Sequence, residues 1–186
     1  MTTIGFCTHF TETDEWAFEY ALRLARGRGW QLNICHWLYS PYLLRRDLIA
    51  DDLFHPEKTT AVNPSLLVKL ERQLREYYES RLGDFTDVAF KLCEGQYQVE
   101  LVRCFRKNLL DLVVIGYQAV DDETHSTAQT LEEFALHVPF PLIVVGKDGP
   151  HSYLLNEKAR EVLDDLDLPG SSWSFLQPVS LAPHQP

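Results

Sequence analysis

Short apolar runs alternate along this chain with stretches of helical periodicity. The most uniform run is Leu109 to Ile115, rich in β-branched residues and ended by Gly116. A fully buried parallel strand has this look where it gives way to a loop. Thr3 to Thr8 reads as the first strand, Gln31 to Trp37 as the second, Val88 to Cys93 as the third and Leu142 to Val145 as the fifth. Asp14 suits a helix N-cap, with Glu15 in the first turn. After it Ala17, Tyr20, Ala21, Leu24 and Ala25 recur at helical spacing until Gly27 and Gly29. Ser65 to Leu82 carries a stripe of Leu66, Leu67, Leu70, Leu74, Tyr77, Tyr78 and Arg81, closed by Gly83. Val99 to Lys107 is a third helix, and Thr130-Leu131-Glu132-Glu133 reads as a capping box opening a fourth, to His137.

This alternation predicts an α/β fold: a doubly wound five-stranded parallel sheet, Rossmann-like, with helices on both faces. A reversal of winding between the first and fourth strands would set the loops after Thr8 and Ile115 side by side. Ligands bind at that place in such sheets. From Leu38 to Pro64 the pattern dissolves, with Leu43 to Leu53 suited to a helical turn or two. So long a connection either covers a pocket or is a surface excursion packed by Tyr39, Tyr42 and Phe54. Leu142, Ile143, Val144 and Val145 fall at the sheet edge, and self-pairing across a dimer axis would cover them.

Gly149-Pro150 marks a boundary, giving one domain over 1–147 and a C-terminal extension over 148–186. Leu155, Ala159, Val162, Leu163 and Leu166 predict a helical tail over about 152–165, broken by Pro169-Gly170-Ser171-Ser172. Trp173, Phe175, Leu176 and Val179 then form an irregular apolar stretch, suited to docking on its own domain or on a protein partner. Ala182 to Pro186 is expected to be disordered.

The net charge of -10 disfavours nucleic acid and anionic membrane as partners. No apolar run reaches membrane-span length and the N-terminus has no signal-peptide pattern, so a soluble cytoplasmic protein is expected. Cys7, Cys35, Cys93 and Cys104 lack the short paired spacings of zinc sites and read as buried reduced thiols. His9 and His36 fall near strand ends, but no third ligand accompanies them, so no metal site is expected. No Ser-His-Asp spacing, P-loop or nucleophile elbow is present, and no catalytic residue is assigned.

Asp111-Leu112-Val113-Val114-Ile115-Gly116, a short helix, and then Pro139-Phe140-Pro141-Leu142-Ile143-Val144-Val145 resemble the end of a universal stress protein domain. Trp16-Ala17-Phe18-Glu19-Tyr20-Ala21-Leu22-Arg23-Leu24-Ala25 resembles that family's first helix. The resemblance covers Thr2 to Lys147. It implies a nucleotide pocket at the carboxyl ends of strands one and four, lined by Thr8, His9, Phe10, Thr11, Trp37, Gly116, Gln118, Ala119, Gln129 and Thr130. The pocket would be vestigial. ATP-binding members carry G-x2-G-x9-G-[S/T] after the fourth strand. Here Gly116 matches the first glycine, Ala119 stands at the second, and Gln129-Thr130 (or Ala128-Gln129) at the last pair. His9 replaces an expected aspartate, and Asp121, Asp122 and Glu123 would repel a triphosphate unless magnesium intervened.

The resemblance therefore implies a non-catalytic, homodimeric stress-response or regulatory protein, paired through Leu142 to Val145 and without a cofactor. The alternative is a small-molecule or nucleotide-binding sensor, or weak ATPase, that keeps the pocket and uses ATP and magnesium or another ligand.

Overall fold

The computed structural model describes residues 2–38, 48–55, 57–94, 97–107, 109–117, 131–164 and 173–175. In chain order the elements are β1 (Thr3–Thr8), α1 (Glu12–Arg28), β2 (Gln31–Leu38), β3 (Leu48–Ala50), β4 (Thr59–Ala61), α2 (Pro64–Leu82) and β5 (Val88–Glu94). They continue with α3 (Tyr97–Arg106), β6 (Leu112–Gly116), α4 (Leu131–His137), β7 (Leu142–Val145), β8 (Tyr153–Leu155), α5 (Glu157–Asp164) and β9 (Trp173–Phe175).

The sheet order is β5-β2-β1-β6-β7-β8-β9. The first five strands in that order are parallel, as the alternation of the sequence predicts. Side-chain alternation along the strands divides the interior into two cores. Ile4, Phe6, Ile143 and Val145 face the first core, closed by Ala17, Phe18, Ala21 and Ala25 of α1, by Leu66, Leu70, Leu74 and Tyr78 of α2, and by Ala159 and Leu163 of α5. Cys7, Cys35, Trp37, Val113, Ile115, Leu142 and Val144 face the second, with Leu101 of α3 and Phe134 and Ala135 of α4. Burial on both faces explains why the central strands read as continuous apolar runs.

Several boundaries depart from the sequence pattern. Helix α1 begins two residues before Asp14, with Thr11 as its N-cap. Asp14 is instead the third helical residue, whose carboxylate returns to the cap backbone in a capping box. Residues 48–50, expected to be helical, form β3, which pairs antiparallel with β4. Residues 39–47 lie outside the described set, as do Gln118, Ala119, Asp121, Asp122, Glu123, Gln129, Thr130 and the chain end expected to be disordered.

The largest correction concerns the sheet edge. The extension is not simply a helical tail. Its residues 153–155 form β8, which pairs antiparallel with β7 in the register Ile143↔Leu155, Val144↔Leu154 and Val145↔Tyr153. Leu142, Ile143, Val144 and Val145 are therefore an inner strand, with β6 on one side and β8 on the other. A homodimer through the outer edge of this strand has no room while β8 is seated. The predicted helix over 152–165 shortens to α5, and β9 adds a parallel strand outside β8. Periodicity hid β8 because three apolar residues directly before a helix extend its apparent stripe. Among the described residues no helix is long and apolar enough to cross a membrane.

Candidate functional site

β1 lies between β2 and β6, so the loops after Thr8 and Gly116 meet, as the winding reversal predicts. Asp14 is fully buried at this junction. Its Oδ2 accepts from the backbone N–H of His9 at 2.8 Å and of Thr11 at 3.0 Å. Its Oδ1 lies beside Gly116, where an added Cβ would fall 2.5 Å from that oxygen and 2.7 Å from the Asp14 nitrogen. Gly116 is thus needed for the close approach of β6 to the start of α1. Thr13 Oγ1 donates to the Tyr117 carbonyl at 2.7 Å, a second tie between the two loops.

The residues read from the sequence as ligand candidates are brought together only in part, and most are already engaged. The Thr8 hydroxyl is buried against the Tyr78 hydroxyl, 2.6 Å away. Thr11 Oγ1 caps α1 through the Asp14 N–H at 3.3 Å and lies 3.0 Å from Thr13 Oγ1. Phe10 has φ 63, a left-handed conformation that phenylalanine rarely adopts. This turn drives its ring among His36 (5.1 Å between centroids), Tyr77 (5.1 Å), Phe54 (5.0 Å) and Tyr78 (6.3 Å). Trp37 belongs elsewhere. It is 3% exposed and packs in the second core, on the other face of the sheet from Phe6.

His9 and His36 are close, with ring centroids 6.4 Å apart. His36 Nδ1 lies 2.9 Å from the Thr8 carbonyl. A carbonyl only accepts, so Nδ1 carries the proton and the neutral ring has its lone pair on Nε2. Burial lowers the His36 pKa to about 4, and nearby His9 pushes the same way against the Thr8 hydrogen bond and the Asp14 carboxylate. His9 is also lowered by burial, opposed by Asp14. Among the described residues no group of three His, Cys, Asp or Glu is placed to hold a metal ion.

The roof of this site comes from the long connection after β2, covering being one of the two roles its length allowed. Phe54 follows β3 and packs on Tyr77 (5.5 Å) as well as on Phe10. The segment carrying it is fixed to α2 by Gln73 Nε2 donating to Asp52 at 2.7 Å and by Lys69 Nζ donating to the Asp51 carbonyl at 2.6 Å. Glu15 of α1 accepts from Tyr77 and Arg81 of α2, while the Arg81 guanidinium stacks 4.3 Å over the Tyr77 ring. Besides the length of that connection and its Phe54, the Tyr77-Tyr78 pair was a signal, since one ring of a helical stripe had to point beyond the core.

The four cysteines are free thiols and gather in and against the second core. Cys7 and Cys35 are directly opposed in the β1–β2 register. The Cys7 thiol and burial hold the Cys35 thiol well above its usual range. A protonated buried thiol is unreactive, so Cys7 and Cys35 keep the packing role read from the sequence, whereas Cys93 and Cys104 are only partly buried.

No protein-family model and no curated protein matches the chain by sequence. Solved structures do match by shape. The hypothetical protein MJ0577 superposes with a TM-score of 0.54 at 16% identity, covering 77% of this chain and 94% of that one. A universal stress protein in complex with cAMP gives 0.50 at 16%, covering 77% and 96%. A universal stress protein from Archaeoglobus fulgidus gives 0.50 at 13%, covering 77% and 97%. Together with the sheet order and the site at the β1–β6 junction, these likenesses show that the chain has the fold of the universal stress proteins.

Proposed function

We propose that this chain is a divergent universal stress protein that acts as a non-catalytic, cytoplasmic regulatory protein and does not use ATP. The observation that carries this reading is Phe10. Its left-handed backbone turns an aromatic ring into the mouth between β1 and β2, where His36, Tyr77 and Phe54 close around it. The chain's own side chains thereby fill this mouth, and the Thr8 and Thr11 hydroxyls and Asp14 Oδ2 are engaged by the fold, while Asp14 Oδ1 is buried without a hydrogen-bond partner. Among the described residues this filling argues against a nucleotide base at this mouth. Regulation without chemistry leaves surface and assembly as the working parts, and no catalytic residue is needed.

One observation favours a second reading, a small-molecule or nucleotide-binding sensor. A structure of similar shape is a universal stress protein in complex with cAMP. Calorimetric titration with ATP and magnesium, and separately with cAMP, at physiological salt separates the two. The regulatory reading expects no saturable heat and no change in melting temperature. Saturable micromolar binding of either nucleotide overturns it in favour of the sensor.

A further inference from the structure

Four thiols stand in a row on one face of the sheet. Cys7 of β1 is opposite Cys35 of β2, and Cys93 lies near the end of β5, on the other side of β2. Cys104 comes from the last turn of α3 and packs on the same core. The Cys93 thiol hydrogen-bonds with Cys35 on one side and with Cys104 on the other. Among the described residues no three such groups are placed to hold a metal ion, so the chemistry open to the row is between pairs.

The three neighbouring pairs are not equivalent. Cys7 and Cys35 are 0% and 2% exposed, out of reach of an oxidant in solvent. Cys35 and Cys93 lie on adjacent parallel strands but are offset by two residues, since Cys35 is opposite Lys91 and Cys93 opposite Trp37. Strand spacing and rise put their Cα atoms roughly 8 Å apart, beyond the limit of about 7 Å that a disulfide spans. Cys93 and Cys104 remain. Both are partly exposed, and they sit on consecutive elements. Cys104 is flanked by the exposed cations Arg103, Arg106 and Lys107, and positive charge favours the thiolate. The Cys35 contact and burial hold the Cys93 thiol well above its usual range, against the pull of Lys91. Cys104 is therefore the thiol that attacks first.

We propose that Cys93 and Cys104 are a modification site, a pair that a hydroperoxide oxidises to a disulfide tying the last turn of α3 to the terminal strand β5. Cys104, as thiolate, attacks the outer peroxide oxygen. An S–O bond forms, the O–O bond breaks, and the other oxygen leaves as water or an alcohol with the proton shed by Cys104. Cys93 then attacks the sulfenic sulfur. The S–S bond forms, the S–O bond breaks, and hydroxide leaves as water with the Cys93 proton. Two thiols lose two electrons and the hydroperoxide gains them. The Cys104 carbonyl accepts the Leu109 N–H at 3.1 Å, so the bridge also fixes the turn by which α3 passes to β6. The inference is independent of whether the site at β1 binds a ligand. It gives the regulatory reading an input, spent once per molecule rather than turned over.

Thiol mapping on the full chain tests it. The native protein is treated with a small excess of hydrogen peroxide, denatured, alkylated and cut with trypsin. Cleavage after Lys91 and Arg103 separates the two cysteines, so the disulfide is read as peptide 92–103 joined to peptide 104–106, released by dithiothreitol. Two of the four thiols should escape alkylation. Cys93→Ser is expected to leave Cys104 as a sulfenic acid that dimedone captures, whereas Cys104→Ser should leave Cys93 unmodified. Circular dichroism confirms that each variant is folded, and if one is not, the wild-type map alone decides. A bridge between other cysteines, a bridge between two chains on a non-reducing gel, dimedone on Cys93 in Cys104→Ser, or four alkylated thiols after peroxide would each overturn the proposal.

Discussion

His36 shows how one buried side chain couples the site to pH. Its folded pKa of about 4 lies below the ordinary histidine value of 6.5, so the unfolded chain takes up the proton first. The neutral ring's contribution is complete above pH 6.5 and is lost as pH falls toward 4, roughly 3 kcal/mol in all. His9, lowered in the same direction, adds to the loss. Between pH 7 and pH 4.5 the wild type should lose clearly more stability in urea than His36→Gln, which keeps a donor for the Thr8 carbonyl. Equal losses would mean that the imidazole is not held neutral. Phe10 shows a different balance. A left-handed phenylalanine costs about 1–2 kcal/mol, while full burial of such a ring returns about 1.5–3 kcal/mol and the partly buried Phe10 gains a share of that. Packing on four rings therefore sustains the strained turn. Its conformation was not legible in the sequence, since only the neighbours that β2, β3 and α2 deliver make the turn favourable.

At the scale of elements, two helices start with capping residues of unequal burden. Asn63 caps α2 through the Leu66 N–H at 2.9 Å, at an exposed corner. Thr11 caps α1 within a box whose other half is the buried Asp14, which also holds the His9 N–H and touches Gly116. Asn63→Ala should cost about 1 kcal/mol and Thr11→Ala about 2 kcal/mol, the upper end of the capping range. Urea unfolding of the two variants measures the difference, and equal costs would refute the idea that the α1 cap also organises the β1–β6 junction. Both N-caps belong to residue types that sequence rules favour. The choice between Thr11 and Asp14 was not legible, because an aspartate at the third helical position looks like a cap until the backbone is seen.

At the scale of the whole molecule, the placement of β7 decides what a proline does there. On an open edge, Val144→Pro would remove one pairing and split a dimer. Here Val144 pairs with Ile115 on one side and Leu154 on the other, and it is 1% exposed. The substitution should instead destabilise the entire fold by about 3 kcal/mol or more. A thermal melt reads this directly, and an unchanged melting temperature would show that β8 is not paired in solution. The helical face of α5 was legible from Ala159 and Leu163, but its partner was not. An amphipathic stripe states that a face must be buried without saying against which core.

The sequence by itself determined the five parallel strands, the four helices between them and the junction of the loops after Thr8 and Ile115. Each depends on local periodicity and on the handedness of crossovers, which any chain obeys. It also determined that Gly116 matters, though the reason, the Asp14 carboxylate beneath it, is tertiary. The tertiary structure alone decided that Phe10 turns inward and that β8 seals β7, and it chose for Phe54 between covering the site and a surface excursion. In each case residues distant along the chain supply the contacts, and apolar burial carries no record in the sequence of the surface it will meet.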